Sequence, residues 1–139
     1  MTSNPEYTLH YFGVRGKGEL IRLCFVAAGE NYVDKRYEFD EWPALKSKMP
    51  LKQMPVLETS DGKMYCQSLT IARYVAKKFH LLGNTVEEEF FVDMIVETLW
   101  AEVGTRIGKE SYDYYADVVK HYVLDVLDPL STHQLTQPP

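Results

Sequence analysis

Cysteine is nearly absent. Of 139 residues only Cys24 and Cys66 are cysteine, far apart, with no CxxC and no Cys/His metal spacing. This excludes a disulfide framework and a zinc finger, and both thiols read as reduced structural groups of a cytoplasmic protein. Positive charge is also in deficit: 15 Lys and Arg stand against 20 Asp and Glu, for a net charge of -5 and a pI near 5.3. That balance opposes long-range attraction to polyanions, so neither nucleic acid nor membrane is expected as a partner. No apolar run approaches the roughly 18 residues a membrane span requires. The start, MTSNPEYTLHYF, has no basic region followed by an apolar stretch, so no targeting segment is expected. Internal repeats are lacking too. What remains is 45% hydrophobic and 13% aromatic, too apolar for disorder, and points to a folded chain with a small ligand.

Hydrophobic periodicity organises the first part of the chain. Residues 7–12 alternate as a strand, and residues 19–28 place Leu20, Leu23, Cys24 and Ala27 at helical spacing, with Gly29 as a left-handed stop. A β-rich run at 32–39 precedes a short helix holding Trp42 and Leu45, for which Asp40 is the expected cap. Residues 55–59 and 63–66, joined by Ser60-Asp61-Gly62, predict a hairpin, because Asp-Gly tolerates the positive φ of a tight turn. A helix is predicted over 68–79 with Leu69, Ala72, Ala76 and Phe79 on one face, ended by Gly83. Thr85-Val-Glu-Glu88 is a capping-box pattern and opens a second unit. That unit carries stripes at Phe91, Met94, Ile95, Thr98 and Leu99 and again over 112–126. The expected division is a domain over 5–83, a helical unit over 84–128 and a disordered tail over 129–139.

Several stretches carry chemistry, each beside a plainer reading. The glycines of Phe12-Gly-Val-Arg-Gly-Lys-Gly18 fit neither a dinucleotide fingerprint nor a P-loop and suit a flexible strand-to-helix turn, but Tyr11 before them falls at a strand end, where α/β sheets gather ligand groups. The βαβαββα order is that of a thioredoxin-like domain, yet Gly13-Val14-Arg15-Gly16 stands where a nucleophilic CxxC often lies. Any reacting thiol must then arrive with the substrate, and Tyr11 has an O–H to donate to its sulfur. At a cysteine pKa near 8.5 about 7% of a thiol is ionised at pH 7.4; a lowering of about two units, about 2.7 kcal/mol, makes about 90% thiolate. The alternative is a half-buried strand tyrosine, one of ten. Pro55 either limits an edge or, as a cis proline, leaves Met54 backbone groups for a peptide-like ligand. Gln67 and Ser68 give either a plain helix cap or a site for a carboxylate. The lysines following Trp42 read as a solvated face or as a site for an anionic ligand end.

Taken in order, Tyr11-Phe12, the glycine turn, Glu19, Trp42 with Lys46, Gln53-Met54-Pro55-Val56-Leu57, Gln67-Ser68 and Ile71-Ala72-Arg73-Tyr74 resemble the sigma-class glutathione transferases, strongly over residues 7–83. The resemblance implies a thioredoxin-like N-terminal domain followed by an incomplete all-α C-terminal domain, with glutathione as substrate. It implies Tyr11 at the glutathione sulfur and Phe12, Arg15 and Lys17 at the mouth shared with the electrophile. Trp42, Lys46 and Gln53 would hold the glycyl end, Met54 before cis-Pro55 the cysteinyl unit, and Gln67 with Ser68 the γ-glutamyl end.

The departures are as informative. Lys17 replaces a common arginine, a point charge for a planar fork. Trp100-Ala101 stands where relatives offer carboxylates, with Glu97 and Glu102 nearby, so no metal site is expected and any dimer contact is weaker. Nothing after Tyr122 resembles the family's later helices, so a homodimer is expected only if the helical domain is completed. The expected function is conjugation of glutathione to hydrophobic electrophiles. The competing class is a non-catalytic glutathione-binding or structural protein like the S-crystallins, and prostaglandin D isomerisation is subordinate. A glutaredoxin-like redox enzyme is disfavoured by the missing active-site cysteine.

Overall fold

The computed structural model describes residues 5–105; the features expected over 112–126 and 129–139 lie outside them. Two compact units divide the chain, Met1–Leu82 and Gly83–Pro139. The first runs β1 (Tyr7–Phe12), α1 (Gly16–Ala28), β2 (Val33–Tyr37), α2 (Trp42–Leu45), β3 (Val56–Thr59), β4 (Met64–Cys66) and α3 (Ser68–Lys78), with two 3-10 turns between α2 and β3. This is the thioredoxin-like βαβαββα order. The strands form one mixed sheet in the order β2-β1-β3-β4, with β1 parallel to β2 and antiparallel to β3, and β3 antiparallel to β4.

Strand alternation on β1 separates two faces. Tyr7 and Leu9 join Ile21 and Phe25 of α1, Leu57 of β3 and Ile71, Ala72 and Val75 of α3 in the main core. Six of these large side chains, Leu9, Ile21, Phe25, Leu57, Ile71 and Val75, are essentially inaccessible to solvent. At about 1.5–3 kcal/mol for each buried aliphatic or aromatic side chain, this layer dominates the unit's stability. The opposite face carries a smaller cluster, Tyr37, Met49 and Val56 with Phe12, Trp42, Leu45 and Met54 against it. His10 is buried on that side: its Nε2 lies 2.8 Å from the Glu58 carboxylate and its Nδ1 2.8 Å from the Tyr37 hydroxyl. An ionised carboxylate only accepts, so Nε2 is the protonated nitrogen there.

Local signals account for most boundaries, and four expectations are corrected. First, α1 begins three residues early, at Gly16, and buries Gly18, Ile21, Arg22 and Phe25, while Leu23 and Ala27 are exposed. Apolar residues occupy nearly the whole circumference of this helix, so periodicity alone does not fix its phase. Second, Asp40 does not cap α2; Glu41 occupies the N-cap position without a side-chain capping bond, and its carboxylate instead accepts from the Glu38 N–H before the helix. Third, α3 ends at Lys78 with Phe79 as its C-cap, and His80 rather than Gly83 turns the chain away from it. His80 is left-handed (φ 58), and the Leu81 and His80 N–H groups donate to the Ala76 and Lys77 carbonyls in a Schellman pattern. Fourth, the buried face of α3 includes Ile71 and Val75 beside Ala72 and Ala76. Gly29 does close α1 as expected, with φ 67.

The hairpin turn contains Gly62 at φ 82. Asp61 accepts from the Thr59 hydroxyl and pairs with the Lys63 ammonium at 2.7 Å. The Lys63 bond, then the Thr59 bond, hold its carboxyl down at about 2 against an ordinary 3.8. A depressed carboxyl contributes stability that is present above its unfolded value and lost as pH falls through its folded one. Asp61→Asn is therefore expected to flatten the fall in Tm between pH 3.8 and about 2, measured by thermal melts across that range. In the second unit, α4 (Val86–Thr105) starts on the expected capping box: the Glu88 N–H donates to the Thr85 hydroxyl at 3.1 Å, and the Glu88 carboxylate accepts from the Asn84 N–H.

Candidate active site

Tyr11 is the last residue but one of β1, on the α1 side of the sheet, and is only 7% exposed. The glycines after it explain how it fits. A Cβ at Gly18 would lie 2.3 Å from Tyr11 Cδ1, and one at Gly16 would lie 2.7 Å from the Tyr11 hydroxyl. Carbon atoms rest about 3.5–4.0 Å apart, so neither position has room for a side chain. Gly16 also has φ 36. The Lys17 N–H, in the first turn of α1, donates to the Tyr11 hydroxyl at 3.0 Å. Such first-turn N–H groups lack an intrahelical acceptor. The glycine turn is thus shaped around the tyrosine rather than around a phosphate.

An open cleft lies beside this socket, lined by Lys17, Gln53, Met54, Pro55, Cys66, Gln67 and Ser68. Three sequence features meet there. Met54-Pro55 is a cis peptide bond, and Met54 lies just outside the β3 ladder, which begins at Val56. Gln67 follows β4 with φ 74 and ψ 109, a conformation L-residues rarely hold and one that concentrates at functional sites. Ser68 is the first residue of α3, and the N-cap position is held by Gln67, which makes no side-chain capping bond, so Ser68 is not the helix cap. Its helix start presents N–H groups and a positive dipole end to the cleft.

The remaining candidates are not among the residues that line this cleft. Phe12 stacks on Phe39 with centroids 4.7 Å apart and meets Trp42 edge-on at 5.8 Å; both Phe12 and Trp42 pack with Met54 in the smaller core. Lys46 opens the 3-10 turn after α2 and is exposed, as is Arg15 just before α1; neither lines the cleft. Tyr11 reaches the cleft through Lys17 rather than by lining it. Cys66 was missed as a lining residue, although its position directly before Gln67-Ser68 was a usable signal. Burial pushes its thiol above the ordinary range, so it stays protonated. Among the described residues no group of three or more His, Cys, Asp or Glu side chains could hold a metal ion, and no helix is long and apolar enough to cross a membrane.

Fold and cleft together define a thioredoxin-like domain with no cysteine in its β1–α1 turn. Its residues 7–77 match the family described as "Glutathione S-transferase, N-terminal domain". Glutathione S-transferase 2 of Manduca sexta is 44% identical over 121 residues, 84% of this chain and 57% of that one. Hematopoietic prostaglandin D synthase of Homo sapiens is 44% identical over 117 residues, 78% of this chain and 58% of that one. The solved sigma-class enzyme of Fasciola hepatica superposes with a TM-score of 0.65 at 33% identity, covering 84% of this chain and 60% of that one. The chain belongs to the glutathione S-transferase family and is sigma-class-like. It spans a little over half the length of the two curated relatives just named.

Proposed function

We propose that the cleft binds glutathione and that Tyr11 stabilises its thiolate for attack on a hydrophobic electrophile. The observation that carries this reading is the Lys17 N–H on the Tyr11 hydroxyl. With that N–H donating onto the oxygen, the phenol proton is left to donate outward, and a thiolate is the acceptor that gains from it. The rest of the cleft suits an extended tripeptide with a carboxylate at each end. Gln67 and Ser68 at the start of α3 take the γ-glutamyl end, and the Met54 backbone beside β3 pairs with the cysteinyl unit as an added strand. Gln53, Trp42 and Lys46 face the glycyl end, while Phe12, Arg15 and Lys17 border the entry of the electrophile. In the reaction the thiol proton leaves to solvent, the sulfur lone pair forms a bond to carbon, and the electrophile's leaving group departs with its bonding pair.

Binding is tested first. The folded protein is expected to be retained on immobilised glutathione and released by free glutathione, with Gln67→Ala weakening the affinity about tenfold, the worth of one charge-assisted hydrogen bond. Folded protein that flows through unretained would overturn the reading. Retention without conjugation of an aryl halide would instead favour the glutathione-holding, non-catalytic role.

A further inference from the structure

We propose that Arg22, outside the cleft, is a positioning residue for Tyr11. This rests on the glutathione-thiolate reading and deepens it. Arg22 is 4% exposed on the buried face of α1, a charge on an otherwise apolar and small-residue face of Gly18, Ile21 and Phe25. Its guanidinium donates to the Phe12 carbonyl at 2.8 Å and the Val14 carbonyl at 2.7 Å, the two that flank Gly13. Nε donates to Asp34 of β2 at 3.1 Å, and a further contact reaches Glu19 at 3.3 Å. The guanidinium carbon also lies 5.5 Å from the centroid of the Tyr11 ring.

These contacts share one geometric result. The segment from Phe12 to Arg15 turns the chain from β1 into α1, and so sets where the Lys17 N–H stands relative to the Tyr11 hydroxyl. Gly13 gives this turn no side chain to pack with, since nothing lies within 4 Å of where its Cβ would be. The turn is instead held from beneath by a rigid, bidentate fork, which also lies over the Tyr11 ring. Lysine, with a single point charge, cannot hold both carbonyls and Asp34 at once.

The test compares wild type with Arg22→Lys. A 3-fluorotyrosine placed at position 11 reports the socket by fluorine NMR without any ligand, and ultraviolet absorbance of the bound thiolate reports ionisation of glutathione. Arg22→Lys is expected to shift the fluorine resonance and to raise the thiolate midpoint by about one unit. The kcat should fall about tenfold below that midpoint, with KM for glutathione within about threefold. A purely structural role would lower Tm and leave the resonance and midpoint in place, and that result overturns the proposal. If the wild type does not ionise bound glutathione, the functional reading fails, and the ligand-free resonance still decides the positioning claim. Should Arg22→Lys not fold, Asp34→Ala, which removes the acceptor of the Nε–H, is judged by the same resonance and midpoint: movement in the same direction supports the proposal, and none overturns it.

Discussion

Tyr11→Phe is expected to keep glutathione affinity within a few-fold while losing conjugation by up to about 100-fold near neutral pH. The magnitude follows from the two-unit lowering, about 2.7 kcal/mol, needed to take a thiol from a minor to a dominant thiolate population. The direction is fixed by which state the hydroxyl contacts. A donor to sulfur favours the charged form, so removing it raises the thiol's pKa and moves the pH–rate profile to higher pH. The deficit should therefore shrink as pH rises past about 8.5, where the free thiol ionises unaided. Little structural cost is expected, because the Lys17 N–H it leaves without an acceptor belongs to an exposed residue in the first turn of α1. Measuring kcat/KM against pH with an aryl halide checks this, and an unchanged rate at neutral pH would remove Tyr11 from the mechanism.

Gly18→Ala sets two opposing effects against each other. Alanine in a helix interior is favoured over glycine by about 1 kcal/mol. Against that, the new methyl would lie 2.3 Å from Tyr11 Cδ1 and 2.6 Å from Cγ. The ring must retreat by more than about 1 Å, toward a sheet and a guanidinium that leave it little room, and overpacking of this kind costs about 1–3 kcal/mol. The clash wins, for a net loss of up to about 2 kcal/mol. The displaced hydroxyl also leaves the Lys17 N–H, so the thiolate midpoint should rise with it. Thermal melts and thiolate titration of the same sample check both parts; a variant that is more stable and equally ionising would show that the glycine is not there for the tyrosine.

What the sequence reveals divides by the range of the interaction. Gly29 closes α1, Asp61-Gly62 turns the hairpin and Thr85 caps α4 because each signal acts within a few residues through the backbone. Tyr11, Met54-Pro55 and Gln67-Ser68 also stand out, since their order along a thioredoxin-like domain is specific even though each is weak alone. The phase of α1 does not show, because Leu20, Ile21, Leu23, Cys24, Phe25 and Val26 offer more than one apolar face and only the packing of Phe25 and Gly18 chooses between them. His80 as the residue that turns the chain away after α3 is hidden for a related reason: a non-glycine left-handed residue is selected by the bonds around it, not by its own preference. The purpose of Gly16 and Gly18 is invisible until the ring they accommodate is in place.

The His10 bonds to Tyr37 and Glu58 have a consequence for Tyr11 next to it. Were β1 to slide by one residue, His10 would enter the apolar layer of Ile21 and Phe25, stripped of both partners, and Tyr11 would turn to the other side of the sheet. Burial of an unpaired imidazole makes that misalignment costly, where an apolar residue at position 10 would leave it comparatively cheap. His10 therefore works as a key in a slot, fixing from behind the sheet how far along the strand the reactive hydroxyl stands.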